Sequence, residues 1–428
     1  MGRLMLPVAT HPWQPPLDFA APYAGENIAL LHSARPERFS GRHSFLFRLP
    51  QQVWEGREWG ELPELPANDD GLPYAIGHLA YELGDDVPES GPAPCFRLTR
   101  YAHCFRFDHE AKTIEEFVVP GLSRAPAPLS PQPGGIPEQV RDDIFIQEIT
   151  SNFTRAHYEQ AVRDTLEQIG AGNFYQANLT RKFFGQFAAA PDYFALFRRL
   201  CASSPAAFSA YIRHGAQAVL SSSPESFLSV ENGSITSRPI KGSAPRGADA
   251  ASDESIRIAL QASEKNQAEN LMIVDLMRHD LAQVSQPGSV QVAEQSGLYS
   301  YPTIHHLVST VTARKLPDKT VYDVVRACFP PGSMTGAPKR AAIRWCAAQE
   351  SLPRGIYSGA LGWFGGGGRC DLSVVIRTLV CEGDRFEFQV GGGIVADSSP
   401  EDEWRETLIK ARGIARALGI EEERLAAL

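Results

Sequence analysis

The chain has few cysteines, no long apolar run and no excess of basic residues. Its 7 cysteines among 428 residues are widely spread and include no CxxC pair, which argues against both a disulfide framework and a zinc knuckle. No stretch approaches the roughly 20 apolar residues that a membrane-spanning helix needs. The formal net charge of -9 argues against a nucleic-acid or anionic membrane partner, because either would favour a basic face.

The first residues also lack the pattern of a secretory signal. Pro7 and His11 interrupt the segment in which a signal peptide would need a continuous apolar block. We therefore expect a cytoplasmic protein. With 43% hydrophobic and 21% charged residues, the composition is that of a globular chain that can bury a large core.

A segment rich in proline and glycine predicts the main boundary in the chain. Residues 121–137 read GLSRAPAPLSPQPGGIP, and the 5 prolines and 3 glycines exclude a long helix and fit a surface linker. We therefore predict an N-terminal lobe over residues 1–120, a linker over residues 121–140 and a larger catalytic domain over residues 141–428.

Short alternating segments predict strands, and longer segments with helical periodicity predict helices. The predicted strands cover residues 44–49, 113–119, 218–222 and 374–381. The predicted helices cover residues 155–169, residues 268–283 and a segment that starts after Ser399 as N-cap, with Pro400 at the first helical position. We therefore expect an α+β fold.

Lys241 stands in the segment SRPIKGS, between an apolar turn and a glycine. Apolar neighbours such as Pro239 and Ile240 would favour a neutral amine, which is the form able to attack carbon. The alternative is an exposed loop lysine, which is the commoner situation for this residue type.

Two helical segments carry acidic residues on one face. Glu269 heads the otherwise apolar stripe of AENLMIVDLMRHDLAQ, whereas Glu403, Glu406 and Lys410 share a face of the helix after Ser399. Each face has a simpler explanation, a carboxylate at the helix dipole in the first case and a solvated ion-pair face in the second. If the two faces meet, they would hold a hard divalent cation, and we expect Mg²⁺ because the candidate ligands are oxygen atoms.

Glycine is concentrated in the segments FPPGSMTGAPK, GALGWFGGGGR and VGGGIVADS, where backbone amides could bind an anion. The first segment lacks the spacing of a phosphate loop, which argues against a nucleotide site. Arg377 lies among apolar residues in VVIRTLV, so it needs either a bound carboxylate or phosphate or an ion pair within the protein. His305 and His306 are adjacent, which is not the spacing of metal ligands within a strand.

Seven segments, taken in order, resemble the chorismate-binding enzymes. That family includes anthranilate synthase component I, isochorismate and salicylate synthases, and aminodeoxychorismate synthase component I. The segments are SRPIKGS, AENLMIVDLMRHDL, HHLVS, PPGSMTGAPKR, GIYSGALGW, VVIRTL and GGGIVADSSPEDEWRETLIKA, and they fall within roughly residues 150–420. The resemblance implies an anthranilate synthase component I-like fold, with two packed antiparallel β-sheets flanked by helices.

The resemblance also implies roles for individual residues. Glu269 and Glu406 match positions that hold Mg²⁺, which would bridge to the ring carboxylate of chorismate. Glu225, in SSSPESF, matches a general acid that protonates the departing C4 hydroxyl, although an exposed loop carboxylate is the simpler alternative. The positions that match substrate-binding residues are Gly242, Ser243, His306, Ser333, Thr335, Tyr357, Arg377, Gly391, Gly393 and Lys410.

Two positions separate the branches of the family. Gln176 stands where isochorismate and salicylate synthases carry a lysine base, and Lys241 stands where anthranilate synthases usually read PIAG. Lys241 is the mark of the aminodeoxychorismate synthase branch, so the resemblance implies amination of chorismate at C4 through a covalent adduct on this lysine. Anthranilate synthase component I stays open as the enzyme alternative, and a non-catalytic protein that binds an aromatic acid is the alternative from another class.

The resemblance further implies partners. No cysteine lies in a GxCxGxQ motif, so a separate glutamine amidotransferase subunit is expected to supply ammonia. Residues 28–33, reading IALLHS, resemble the segment that binds tryptophan in the amino-group-transferring members. His32 replaces the acidic residue that anthranilate synthases carry there, which puts feedback inhibition by tryptophan in question.

Overall fold

The computed structural model describes residues 7–33, 42–68, 71–88, 91–119, 144–301 and 304–428. The predicted linker over residues 121–140 lies outside the described residues, so the division into lobe, linker and catalytic domain stays a prediction. Among the helices of the described ranges, none is both long enough and apolar enough to cross a membrane.

Most of the described chain is strand. The strands are β1 (Ala9–His11), β2 (Ala29–His32), β3 (His43–Gly56), β4 (Pro73–Leu79), β5 (Phe96–Asp108), β6 (Thr113–Val118), β7 (Ile146–Ser151), β8 (Gln176–Phe187), β9 (Phe208–His214), β10 (Gln217–Ser223), β11 (Ser226–Glu231), β12 (Ser234–Arg238), β13 (Ile240–Pro245), β14 (Gln291–Ser300), β15 (Ile304–Arg314), β16 (Gly336–Ala337), β17 (Ala360–Gly365), β18 (Arg369–Val374), β19 (Thr378–Glu382) and β20 (Arg385–Ile394).

Helices cover the strands and carry several of the predicted site residues. They are α1 (Pro16–Ala20), α2 (Arg155–Gly170), α3 (Tyr193–Ser203), α4 (Ala250–Ala262), α5 (Glu264–Ala282), α6 (Val321–Cys328), α7 (Lys339–Glu350), α8 (Pro400–Leu418) and α9 (Glu422–Ala426).

Antiparallel pairings join the strands into one network with two halves. One half runs β8, β20, β19, β10, β9 and β2, and the other runs β4, β17, β18, β11, β12 and β15. The long strands β3 and β5 pair with each other and connect the halves. Side chains from both halves pack in one buried apolar cluster, with Ala29, Ala210 and Val219 from the first half and Ile76 and Leu361 from the second. The predicted α+β fold with antiparallel sheets is therefore confirmed.

The largest apolar cluster holds α8 in place. It contains Val162 from α2, Leu196 from α3 and Leu408 from α8, packed on Phe183 of β8 and Phe388 of β20. Burial of such side chains contributes about 1.5–3 kcal/mol each, so α8 is fixed against the strands that run beneath it. Its other face is thereby turned toward the glycine-rich end of β20, and α5 packs against β13 and β15.

Local signals located several elements correctly. Helix α2 begins at the predicted residue, after Thr154 as N-cap. Helix α8 begins at Pro400, and the Ser399 hydroxyl accepts a hydrogen bond from the Asp402 amide at 3.4 Å, as expected for an N-cap.

The strand predicted over residues 374–381 is wrong in its middle. Strand β18 ends at Val374 and β19 begins at Thr378, so Arg377 lies between two strands. Its φ of 49° is in the left-handed region, which a strand cannot pass through without bending. An apolar run of suitable length therefore concealed a turn.

Candidate active site

Residues 391–393 of β20 form a strip of three glycines at the centre of the candidate site. A Cβ on Gly392 would lie 2.7 Å from Glu403 Oε2 and 3.3 Å from Glu406 Oε1. A Cβ on Gly393 would lie 3.5 Å from Lys241 Nζ and would overlap Gln176 Nε2. Because successive residues of a strand point to opposite faces, the carboxylates approach the strip from one side and Lys241 and Gln176 from the other. The absence of side chains is what allows this close approach.

A bulge in β13 sets the position of Lys241. The pairing between β13 and β15 shifts register between Ile240 and Ser243, so Lys241 and Gly242 fall inside the irregularity. Gly242 has a φ of 89°, a conformation that favours glycine. Bulges re-aim side chains, and here the ammonium group of the half-buried Lys241 faces Gly393. The exposed loop lysine considered as an alternative is therefore not what the structure contains.

Glu225 lies immediately before β11 and is 6% exposed. Burial raises the pKa of its carboxyl above the ordinary value, although a hydrogen bond with Ser333 and the charge of Lys241 act in the opposite direction. A buried carboxyl with a raised pKa holds its proton and can give it to a leaving group. The exposed carboxylate considered as an alternative for Glu225 does not occur.

The acidic faces of α5 and α8 meet. Lys265 Nζ lies 4.0 Å from Glu269 Oε1 on its own helix and 4.0 Å from Glu403 Oε1 on α8. One ammonium group therefore stands between carboxylates from two helices that are far apart in sequence. This contact places Glu269 beside α8, as the family resemblance requires.

Glu406 is paired with Lys410 one turn later on α8. Lys410 Nζ lies 2.6 Å from Glu406 Oε1 and donates to the Gly391 carbonyl oxygen at 2.7 Å. Partial burial alone would raise the pKa of the Glu406 carboxyl, but the charges of Lys410, Lys265 and Lys241 together hold it below the ordinary value. Glu406 is therefore an anion at neutral pH, as a metal ligand must be.

Glu403 was not among the predicted metal ligands, yet its carboxylate is the most deeply buried of the cluster, at 3% exposure. Burial and the neighbouring Glu406 raise the pKa of Glu403. Its Oε1 accepts a hydrogen bond from the Ser398 hydroxyl at 2.6 Å, whereas its Oε2 has no hydrogen-bond partner. The spacing of three residues between Glu403 and Glu406 was the signal that could have identified it.

The carboxylates suit a divalent cation in chemistry, but they are not arranged around a single point. Glu269, Glu403 and Glu406 offer only oxygen donors, as Mg²⁺ prefers, and the unpaired Oε2 of Glu403 is a free donor next to Gly392. Within the described residues, no three His, Cys, Asp or Glu side chains are already grouped to hold a metal. The residues therefore fit Mg²⁺, provided that the lysines between them can move.

Gln176 is a buried residue that the sequence marked only as a difference between branches. Its side chain is 0% exposed, and neither its amide nitrogen nor its amide oxygen has a hydrogen-bond partner. It approaches Gly393 from the same side as Lys241. Unpaired buried amide atoms are costly, so this donor and acceptor are available to a ligand beside the lysine.

The remaining predicted residues lie at different distances from this centre. Ser243 Oγ and His306 Nδ1 form a hydrogen bond of 2.6 Å that joins β13 to β15 beside the bulge. Thr335 is buried and its hydroxyl donates within its own loop, to the Gly332 carbonyl oxygen at 3.3 Å. These contacts place Ser243 and His306 near Lys241, while a substrate contact for Thr335 stays a prediction.

Tyr357 and Arg377 also stay predictions as substrate ligands. Burial raises the pKa of the Tyr357 hydroxyl, and the charged groups that act on it are Arg354 and Glu350. The carbonyl oxygen of Arg377 accepts a hydrogen bond from the Ser222 amide at 3.1 Å, which fixes the turn between β18 and β19.

A small cavity of about 70 Å³ adjoins the segment that resembles a tryptophan site. His32, Phe45, Phe208, Trp363 and Asp371 are among the residues that line it. Burial lowers the pKa of His32 to about 3, so this imidazole is neutral at physiological pH and cannot replace a carboxylate or its charge. Tryptophan binding therefore stays a prediction.

Comparison with known proteins gives matches along most of the chain. A sequence profile of chorismate binding enzymes matches residues 26–416. "Aminodeoxychorismate synthase component 1" of Salmonella typhimurium is 36% identical over 368 residues, which cover 83% of this chain and 80% of that protein. "Aminodeoxychorismate synthase" of Streptomyces griseus is 38% identical over 378 residues, which cover 84% of this chain but only 51% of that protein. The chain thus spans about half the length of the Streptomyces relative.

Solved structures share the architecture. Anthranilate synthase component I from Streptococcus pneumoniae TIGR4 superimposes with a TM-score of 0.75 at 25% identity, and the match covers 90% of this chain and 94% of that one. The shared fold, the extent of the profile match and the identity to the curated relatives agree with the resemblance found in the seven segments. The chain belongs to the family of chorismate-binding enzymes.

Proposed function

We propose that this protein aminates chorismate, as component I of an aminodeoxychorismate synthase, and forms 4-amino-4-deoxychorismate, a precursor of p-aminobenzoate and folate. The observation that carries the proposal is the position of Lys241, whose amine faces the glycine strip of β20 across from the carboxylates of α8. Relatives that bear this name match over most of the chain, and Lys241 is the residue that marks this branch.

In the first step, Lys241 acts as the nucleophile. Its neutral amine forms a bond to C2 of chorismate, the ring double bonds shift, and the C4–O bond breaks. Glu225 gives its proton to the departing oxygen, which leaves as water, and the carboxylate of Glu225 remains. The raised pKa of Glu225 supports this role, because the carboxyl must hold a proton before the bond breaks.

In the second step, ammonia replaces the lysine. Ammonia forms a bond to C4, the double bonds shift back, and the C2–N bond breaks, so that Lys241 leaves as a neutral amine. The new ammonium group at C4 returns one proton to Glu225. Chorismate and ammonia are thus converted into the amino product and water. The unpaired amide of Gln176 is available to hold ammonia beside Lys241.

The binding side of the site is formed by α5, α8 and the glycine strip. Glu269, Glu403 and Glu406 would hold Mg²⁺, which when bound neutralises the ring carboxylate of chorismate and fixes its orientation. Lys410, which already contacts the Gly391 carbonyl oxygen, adds a positive charge at the same edge. Fixing a dianionic substrate against Lys241 and Glu225 can supply several kcal/mol of the reduction in barrier.

A partner completes the reaction. The relatives are named as a first component, and we propose that a glutamine amidotransferase subunit is the second and supplies ammonia. The tryptophan site and the cytoplasmic location also remain predictions from the sequence.

The proposal is tested by incubating the purified chain with chorismate, Mg²⁺ and ammonium. We expect 4-amino-4-deoxychorismate, detected as p-aminobenzoate after addition of a lyase that removes its side chain as pyruvate. Fluorescent anthranilate would instead establish anthranilate synthase, the activity of the structurally similar Streptococcus protein. Intact chorismate after long incubation would favour a binding protein without this chemistry.

Lys241→Ala tests the covalent step. We expect the rate of amination to fall more than about 100-fold, chorismate still to bind with a similar dissociation constant, and the adduct mass found on the wild-type peptide to be absent. Lys319→Ala, at a surface position beside Asp318, is the matched control and should behave as wild type. Loss of chorismate binding in Lys241→Ala would assign the lysine a structural role instead.

A further inference from the structure

Two lysines stand among the three carboxylates of the candidate metal site, and they are held differently. Lys410 Nζ makes close contacts, at 2.6 Å to Glu406 and 2.7 Å to the Gly391 carbonyl oxygen. Lys265 Nζ lies 4.0 Å from both Glu269 and Glu403, which is beyond hydrogen-bond distance. Its side chain is 46% exposed, so only Lys265 can leave the cluster without breaking a hydrogen bond to it.

The position of Lys265 has an electrostatic reason. Glu403 is 3% exposed and one of its oxygens has no hydrogen-bond partner. A buried carboxylate of this kind is costly unless a positive charge lies close to it. The Lys265 ammonium supplies that charge and shares it with Glu269. In the absence of another cation, it offsets the repulsion between the carboxylates of α5 and α8.

We propose that Lys265 is the internal counter-ion of the metal-free site, and that a divalent cation displaces its ammonium group into solvent. The inference rests on the metal site of the proposed function. An ammonium group and a dication within about 4 Å of the same oxygens repel each other strongly, so both cannot occupy the space between Glu269 and Glu403. The long, flexible and half-exposed side chain of Lys265 can turn outward while its stem stays on α5.

Two consequences follow for metal binding. Lys265 lowers the affinity for the cation, because each binding event must first release the ammonium group. It also keeps α5 and α8 together before the cation arrives, so that the site is already assembled. Lys265 is therefore a positioning residue, which would not itself touch the substrate.

Isothermal titration calorimetry with MgCl₂ on the full chain tests the affinity. Lys265→Met removes the charge but keeps the unbranched stem and a good helix propensity. We expect Mg²⁺ to bind the variant about three- to tenfold more tightly than it binds the wild type. Lys319→Met, a lysine on another surface with 37% exposure, is the matched control and should bind Mg²⁺ as the wild type does.

The outcomes separate this inference from the proposed metal site. Binding to the wild type that is equal to or tighter than binding to Lys265→Met would overturn the role of Lys265 and leave the metal site standing. No binding to the wild type, with or without chorismate, would overturn both. Glu269→Gln should weaken binding in either background if the site lies where we place it.

Chemical labelling of the wild type gives a second readout that needs no variant. Acetylation by an N-hydroxysuccinimide ester, followed by mass spectrometry of peptides, reports how freely each lysine reacts. We expect Mg²⁺ to increase the labelling of Lys265 and to leave that of Lys319 unchanged. Unchanged or decreased labelling of Lys265 under saturating Mg²⁺ would show that the ammonium group stays among the carboxylates, and would overturn the proposal.

Discussion

Glu225 shows how one side chain can be prepared for proton transfer by its surroundings. Burial favours the neutral carboxyl, while the Ser333 hydroxyl and the Lys241 ammonium favour the carboxylate. The effect of burial is the largest, so the pKa stays above its ordinary value of 4.5. Unfolding exposes the group to water and removes this effect, which links the titration of Glu225 to stability.

The sign of this linkage gives a prediction. The folded protein binds the Glu225 proton more tightly than the unfolded chain, so this residue lowers the free energy of unfolding as pH rises above about 4.5 and through the raised pKa. Glu225→Gln is neutral at every pH, and its stability relative to the wild type should increase from about pH 4.5 to about pH 8. Urea unfolding at a series of pH values measures the difference. A difference that is constant or decreases with pH would contradict the raised pKa.

At the scale of elements, the site depends on one strand segment without side chains. The carboxylates of α8 reach the glycine strip on one face, and Lys241 and Gln176 reach it on the other. A side chain on the strip would therefore push the two sets of groups away from β20. The bulge at Gly242 acts in the same way within β13, because it turns Lys241 toward this strip.

Gly393→Ala tests the need for this space. The added Cβ would overlap the Gln176 amide and come within 3.5 Å of Lys241 Nζ, so we expect a loss of about 1–3 kcal/mol in the free energy of unfolding together with a strong decrease in amination. Gly170→Ala, at the end of α2 with no atom within 4 Å of its Cβ, is the matched control. It should change the unfolding free energy by no more than about 0.5 kcal/mol. Equal effects of the two substitutions in denaturant unfolding and in the amination assay would contradict the role of the strip.

At the scale of the whole molecule, a buried ion pair joins distant parts of the chain. Arg354 is 2% exposed and pairs with Glu350 at 2.6 Å, while its other nitrogens donate to the carbonyl oxygens of Asn178 and Met334 at 2.7 Å each. The Arg354 backbone amide donates to Glu82, from the N-terminal part of the chain, at 2.7 Å. A single residue thus connects α7, β8, the loop before β16 and the segment after β4.

Removing one partner of this pair should be more harmful than removing both. Arg354→Met leaves the Glu350 carboxylate buried without its counter-ion, and we expect a loss of about 3–5 kcal/mol in the free energy of unfolding. Adding Glu350→Gln should restore part of that loss, because the uncompensated charge is gone. Urea unfolding of both single variants and the double variant, analysed as a double-mutant cycle, gives the coupling. Additive effects would show that the two side chains do not depend on each other.

The sequence by itself determined those features that short segments encode. The caps of α2 and α8, the periodicity of the helices and the ordered motifs were readable because each depends on residues a few positions apart. The motifs also identified the family and the candidate roles of Lys241, Glu225, Glu269 and Glu406. The turn at Arg377 was missed, because an apolar run does not reveal the backbone conformation of one residue within it.

Only the tertiary structure decided how these residues meet. Lys265 stands between Glu269 and Glu403, Gln176 lies unpaired beside Lys241, and the glycine strip separates the two sets of groups. Each of these relations joins elements that are distant in the chain. Their distances follow from the pairing of β8 with β20 and from the packing of α5 and α8 on the strands, because the geometry of a site is fixed by long-range contacts that no local pattern contains.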